Sequence, residues 1–116
     1  MITALSKITE CTIHSRKITL FIGSKDDFIS WASKRYEDID DWEEVVMKTY
    51  LGVTFDTGEG GIVIFMEEFN LSILVHEIYH AVFYLFDSLG EKLTNENQEK
   101  FAYTYQFIFN QLYEKS

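Results

Sequence analysis

Asn70 and Gly90 bracket the segment that leaves this chain least freedom in how it folds. Asn70 can cap a helix by accepting a hydrogen bond from a first-turn backbone N–H, and Phe69 before it can staple onto Ile73 or Leu74. Gly90 can take the left-handed conformation that ends many helices. The run between them is amphipathic and uninterrupted by glycine, and the chain contains no proline at all. A long helix from Asn70 to about Leu89 is therefore expected.

The other elements are read around that helix. Ile8–His14 and Lys17–Ile22 alternate polar and apolar residues as half-buried strands do, with Ser15-Arg16 as a tight turn that lacks the usual Gly or Asn. Ser24, with acidic Asp27 three positions on, opens a helix from about Lys25 to Tyr36 that carries Phe28, Trp31, Ala32 and Tyr36 at helical spacing. Asp40–Lys48 is ambiguous, with Trp42, Val45 and Val46 able to line a short helix. Tyr50–Phe55 reads as a strand, Asp56–Gly61 as a glycine-rich turn and Ile62–Met66 as the return strand. Thr94 caps a last helix with Phe101, Ala102, Tyr105, Ile108, Phe109 and Leu112 on one face. This order predicts an α+β fold: a small sheet of about four strands with the Asn70 helix and the C-terminal helix packed on it.

Composition narrows the setting. At 116 residues one domain, 1–116, is expected, and 47% hydrophobic residues, with 10 Phe, 7 Tyr and 2 Trp, suffice for a core. The one cysteine, Cys11, allows neither an intrachain disulfide nor a Cys-rich zinc finger, which suits the cytosol. Met1–Leu5 lacks the basic and apolar regions of a signal peptide, and no apolar run reaches the roughly 18 residues of a membrane span. A soluble cytoplasmic protein with no membrane partner is expected. The net charge of −9 opposes nucleic-acid binding through phosphates, which needs a basic face. Part of the excess lies in 37–44, EDIDDWEE, either a solvated surface or an acidic surface that recognises a basic partner or imitates nucleic acid.

The chemistry lies in His76-Glu77-Ile78-Tyr79-His80. Residues four apart on a helix share a face, one turn apart, so both imidazoles can address one ion. Two nitrogen donors so placed suit tetrahedral zinc (Zn2+). Glu77 lies about 100° further around the helix. There it is poorly placed to ligate the same ion but able to take a proton from a zinc-activated water that attacks a carbonyl. Asp87, seven residues after His80, shares its face; it can accept a hydrogen bond from a ligand histidine or be an ordinary helix-end surface residue. A closed structural zinc site would need a further ligand such as His14 or Cys11. Tyr79, Tyr84, Tyr103 and His14 compete as hydrogen-bond donors to a tetrahedral intermediate.

From Gly61 to Tyr103 the chain resembles small metallopeptidases encoded by phages and prophages, of the gluzincin type. The shared pattern is the apolar strand Ile62-Val63-Ile64-Phe65-Met66, the motif run His76-Glu77-Ile78-Tyr79-His80-Ala81-Val82-Phe83, and Glu99-Lys100-Phe101-Ala102-Tyr103. The resemblance implies a minimal zincin-like core, hydrolysis of peptide bonds in a peptide or protein substrate, His76, His80 and Glu99 as zinc ligands, and Glu77 as general base. It also places the protein in the cytoplasm of a host cell. Glu96, three positions before Glu99, competes as third ligand; Ala102 favours Glu99 by leaving room for close packing against the histidines. Larger gluzincins often carry an acidic residue one turn after the ligating glutamate; Tyr103 stands there here, and it can orient a ligand, stabilise an oxyanion or simply pack. In zincins an edge strand before the motif helix pairs with extended substrate; Ile62–Met66 is a candidate for that role or an ordinary sheet strand. So small a domain implies a shallow site suited to a flexible peptide. The competing expectation is an acidic, phage-type interaction protein that binds a host factor, its zinc site structural or vestigial.

Overall fold

Alternating residues pair at the N-terminus as expected, but around a different turn. In the computed structural model, which describes residues 6–36, 39–48, 51–58 and 61–115, β1 (Lys7–Ile13) and β2 (Arg16–Ile22) are antiparallel with Ile13 opposite Arg16. The loop is thus His14-Ser15 rather than Ser15-Arg16, and both residues have positive φ, 51° and 63°. A two-residue hairpin needs that left-handed backbone, which glycine or asparagine would adopt at lower cost; their absence hid the turn.

α1 (Lys25–Ser33) begins as expected, with Ser24 Oγ accepting from the Asp27 N–H at 3.0 Å. It ends short of Tyr36, whose ring instead meets Trp42 and Trp31. The ambiguous segment is a helix, α2 (Ile39–Lys48), with Trp42 and Val46 buried and Val45 exposed. Asp41, Glu43 and Glu44 face solvent on α2, and Glu44 pairs with Lys48 at 3.0 Å. Of the expected features, Met1–Leu5, Glu37-Asp38, Tyr50 and Glu59-Gly60 lie outside the described residues.

β3 (Gly52–Asp56) and β4 (Ile62–Met66) form the expected second hairpin. The sheet order is β1-β2-β4-β3, with β2 and β4 parallel and the other pairs antiparallel. Every residue of β4 is buried because both faces of this central strand are covered. One side is aromatic, with Phe21, Phe55 and Phe65 meeting Phe28, Trp31 and Trp42 of α1 and α2. The other is aliphatic, with Ile18, Leu20, Ile62, Ile64 and Met66 under the two C-terminal helices. Because β4 is hydrogen-bonded on both edges, strand addition of substrate to Ile62–Met66 is ruled out; β3 and β1 are the edge strands.

α3 (Leu71–Ser88) is the helix expected between Asn70 and Gly90. Asn70 Oδ1 accepts from the Ile73 N–H at 3.1 Å, and Gly90 has φ +74°. α4 (Gln98–Lys115) packs antiparallel to it: Phe101 lies against Phe86, and Tyr113 reaches back to Phe69. Thr94 caps the turn before α4 by accepting from the Glu96 and Asn97 N–H groups, each at 3.2 Å. The buried face of α4 carries Phe101, Thr104, Ile108 and Leu112, whereas Ala102 is exposed. Ala102 is about 100° around the helix from Phe101 and has too little apolar surface to turn the helix toward itself. Tyr105, half-buried between the helices, donates to the Val75 carbonyl, and desolvation pushes its hydroxyl above the usual tyrosine range. No described helix is long and apolar enough to cross a membrane.

Candidate functional site

Helical geometry places His76 and His80 on the outer face of α3, one turn apart and both exposed. Their Nε2 atoms are 3.2 Å apart and the ring centroids 4.9 Å. Two nitrogens about 2.0–2.1 Å from one tetrahedral zinc would stand about 3.3–3.4 Å apart, so the pair is spaced for a shared ion. The same separation suits an N–H···N hydrogen bond between a neutral donor ring and an acceptor ring.

Glu77 points away from solvent, toward the sheet. It is 5% exposed, whereas the flanking His76 is open to water. Its Oε1 lies 2.8 Å from the Thr54 hydroxyl, which is also 3.1 Å from the Glu77 backbone oxygen. Its Oε2 lies 3.9 Å from His76 Nε2. The helix thus presents two exposed nitrogen donors with a buried carboxylate at their side.

Gly52 makes this approach possible. A Cβ there would stand 2.7 Å from Ile73 Cγ2, 3.2 Å from the Phe65 carbonyl oxygen and 3.3 Å from Glu77 Cγ. Gly52→Ala is expected to push α3 off β3 and lower stability by about 1–3 kcal/mol, the usual cost of overpacking. Urea denaturation checks this; a midpoint equal to that of the parent would show that Ile73 yields freely.

A cleft of about 530 Å³ opens beside His76 and Glu77, lined also by Lys48, Leu51, Gly52, Ser72 and Ile73. It lies where the end of α2 and the start of β3 face the first turns of α3, and its volume is in the range of ligand-sized pockets, about 300–1,000 Å³.

The remaining candidates are placed differently. Glu99, Glu96, Ala102 and Tyr103 are all exposed on or just before α4, Tyr103 at 67%. Among the described residues, no third His, Cys, Asp or Glu joins His76 and His80 in a group that could hold a metal. The packing reason for preferring Glu99 to Glu96 does not hold, because Ala102 is exposed and not on the buried face of α4. Asp87 is exposed near the end of α3, beside a separate cavity of about 360 Å³ that Phe83, Phe86 and Phe101 also line. His14 is exposed at its hairpin tip, and Cys11 is buried in the aliphatic core. Tyr79 sits between the site and α4, its ring centroid 6.0 Å from that of His80 and 5.6 Å from that of Phe101. Tyr84 packs against the core.

Thr54 and Gly52 are the residues that sequence reasoning missed. Their two-residue spacing puts them on one face of β3, but nothing local says which helix covers that face. No protein-family model, curated protein or solved structure matches the chain.

Proposed function

We propose that this protein is a zinc-dependent metallopeptidase with a minimal zincin-like core. The observation that carries the reading is the His76–His80 pair, their Nε2 atoms 3.2 Å apart, with His76 and the buried carboxylate of Glu77 lining a cleft. His76 and His80 would hold zinc, with Glu99 as the third ligand by resemblance. Zinc bound there would supply Lewis acidity, polarising a peptide carbonyl and making a water easier to deprotonate to a nucleophile near neutral pH. Glu77 takes the proton of that water and passes it to the leaving nitrogen. The cleft positions the peptide, and β3, an edge strand of the described sheet, lies beside it. A flexible peptide or loop is the substrate class, and the cytoplasm of a phage-infected cell the setting by resemblance.

The alternative is an acidic protein that binds a host factor, supported by the exposed Asp41, Glu43 and Glu44 on α2. Metal analysis and hydrolysis of labelled casein separate the two. The peptidase reading expects about one zinc per chain, lost in His76→Ala and in His80→Ala, with casein cleavage lost in parallel. A parent protein that binds no zinc, or that binds it and cleaves nothing, would sink the reading.

A further inference from the structure

We propose that Thr54 is the positioning residue that orients Glu77; its catalytic consequence rests on the peptidase reading. Among the described residues, Thr54 is the side chain that hydrogen-bonds the Glu77 carboxylate. Thr54 is itself 8% exposed, so its hydroxyl has little access to water and is committed to the partners it faces. Those partners are Glu77 Oε1 at 2.8 Å and the Glu77 backbone oxygen at 3.1 Å, two acceptors that compete for one hydroxyl proton. The single hydroxyl proton is donated to the carboxylate at the shorter distance. A β-branched side chain on a strand has few χ1 choices, which keeps the hydroxyl aimed at α3.

The two carboxylate oxygens of Glu77 are thereby made unequal. Oε1 is engaged by Thr54, and Oε2 faces His76 Nε2 at 3.9 Å, on the side where the histidine pair would present a reacting water. Oε2 is therefore the atom that exchanges the proton. Without the hydroxyl, the buried carboxylate loses its donor and is drawn toward the open cleft, where water can solvate it. Proton transfer depends steeply on such placement: a displacement of about 1 Å can cost on the order of 10²-fold in rate.

Thr54→Val keeps the shape of the side chain and removes the hydroxyl; Thr54→Ser restores it. The test has two arms. In the metal-free protein labelled with 13C-glutamate, the Glu77 side-chain carboxyl resonance, assigned by its absence from Glu77→Gln, is expected to shift in Thr54→Val and return toward the parent position in Thr54→Ser. With zinc and fluorescein-labelled casein, kcat of Thr54→Val is expected to fall about 10–100-fold with KM and zinc content little changed, and Thr54→Ser to recover most of the loss. If circular dichroism shows Thr54→Val unfolded, Thr54→Ala takes its place in both arms. An unmoved Glu77 resonance, or an undiminished kcat in an active protein, overturns the role of Thr54. Failure of the parent protein to cleave casein overturns the peptidase reading instead, because the resonance arm needs neither metal nor substrate.

Discussion

On the peptidase reading, Glu77→Gln is expected to reduce peptide hydrolysis by at least about 10²-fold, and by up to about 10⁴-fold, the range over which a positioned general base acts, while the chain still folds and binds zinc as the parent does. Glutamine keeps the length and an oxygen that can accept from the Thr54 hydroxyl, which lies 2.8 Å from Glu77 Oε1 in the parent. The neutral amide also removes a charge from a site that is 5% exposed, so no unpaired ion is left behind. The amide lacks basicity, so on this reading proton transfer alone would be lost. His76 and His80 are untouched, their Nε2 atoms set 3.2 Å apart by the helix and not by Glu77. Zinc content by mass spectrometry and casein hydrolysis, measured on one preparation, make the comparison. Turnover at the parental rate in Glu77→Gln would remove Glu77 from the mechanism; loss of zinc along with activity would make it part of the metal site.

Phe28→Ala is expected to have the largest effect on stability. The ring is fully buried, with centroid distances of 4.5 Å to Phe65, 5.2 Å to Phe21 and 6.1 Å to Phe55, and it also meets Trp31 and Trp42. It joins α1, α2 and three strands in one contact set. Truncating such a ring costs about 3–5 kcal/mol in lost burial and cavity, out of a total of about 5–15 kcal/mol for a typical domain. Thermal unfolding is expected to shift down by roughly 10–20 °C. Phe107→Ala, at a residue 43% exposed on α4, serves as the control and should shift little. Phe28 lies on the sheet face opposite α3, so at temperatures where the variant remains folded the histidine pair should bind zinc as in the parent. A shift no greater than that of Phe107→Ala would mean that the aromatic layer closes over the gap.

The two substitutions probe different levels of organisation. Glu77 is placed by a handful of contacts that helix spacing and one strand arrange. Phe28 supports the layer that holds that strand, since its ring meets both Phe55 of β3 and Phe65 of β4, which are diagonal neighbours across the hairpin, with Phe55 opposite Val63 and Val53 opposite Phe65. Loss of the aromatic layer should reach the site only through unfolding.

Within this chain, what the sequence determined by itself is whatever depends on neighbours a few positions away. The Asn70 cap, the Gly90 stop, the Ser24 cap and the β3–β4 hairpin are all of that kind. So is the meeting of His76 and His80, because the 3.6-residue helical period places residues four apart together in any fold. The tertiary structure decided what depends on which distant segment lies alongside. Pairing β2 with β4 in parallel puts Ile18 beside Ile62 and makes Ile62–Met66 a central strand, although its composition suits an edge or an interior equally. The face of α4 that turns inward is set by Phe101, Thr104, Ile108 and Leu112 against the rest of the core, and it leaves Ala102 and Glu99 outside. Alternation in β3 assigns Gly52 and Thr54 to one face, but only the packing of α3 on that face brings the Thr54 hydroxyl to Glu77. Local periodicity carries direction along one element; the partner at the far end of that direction is a property of the assembled fold.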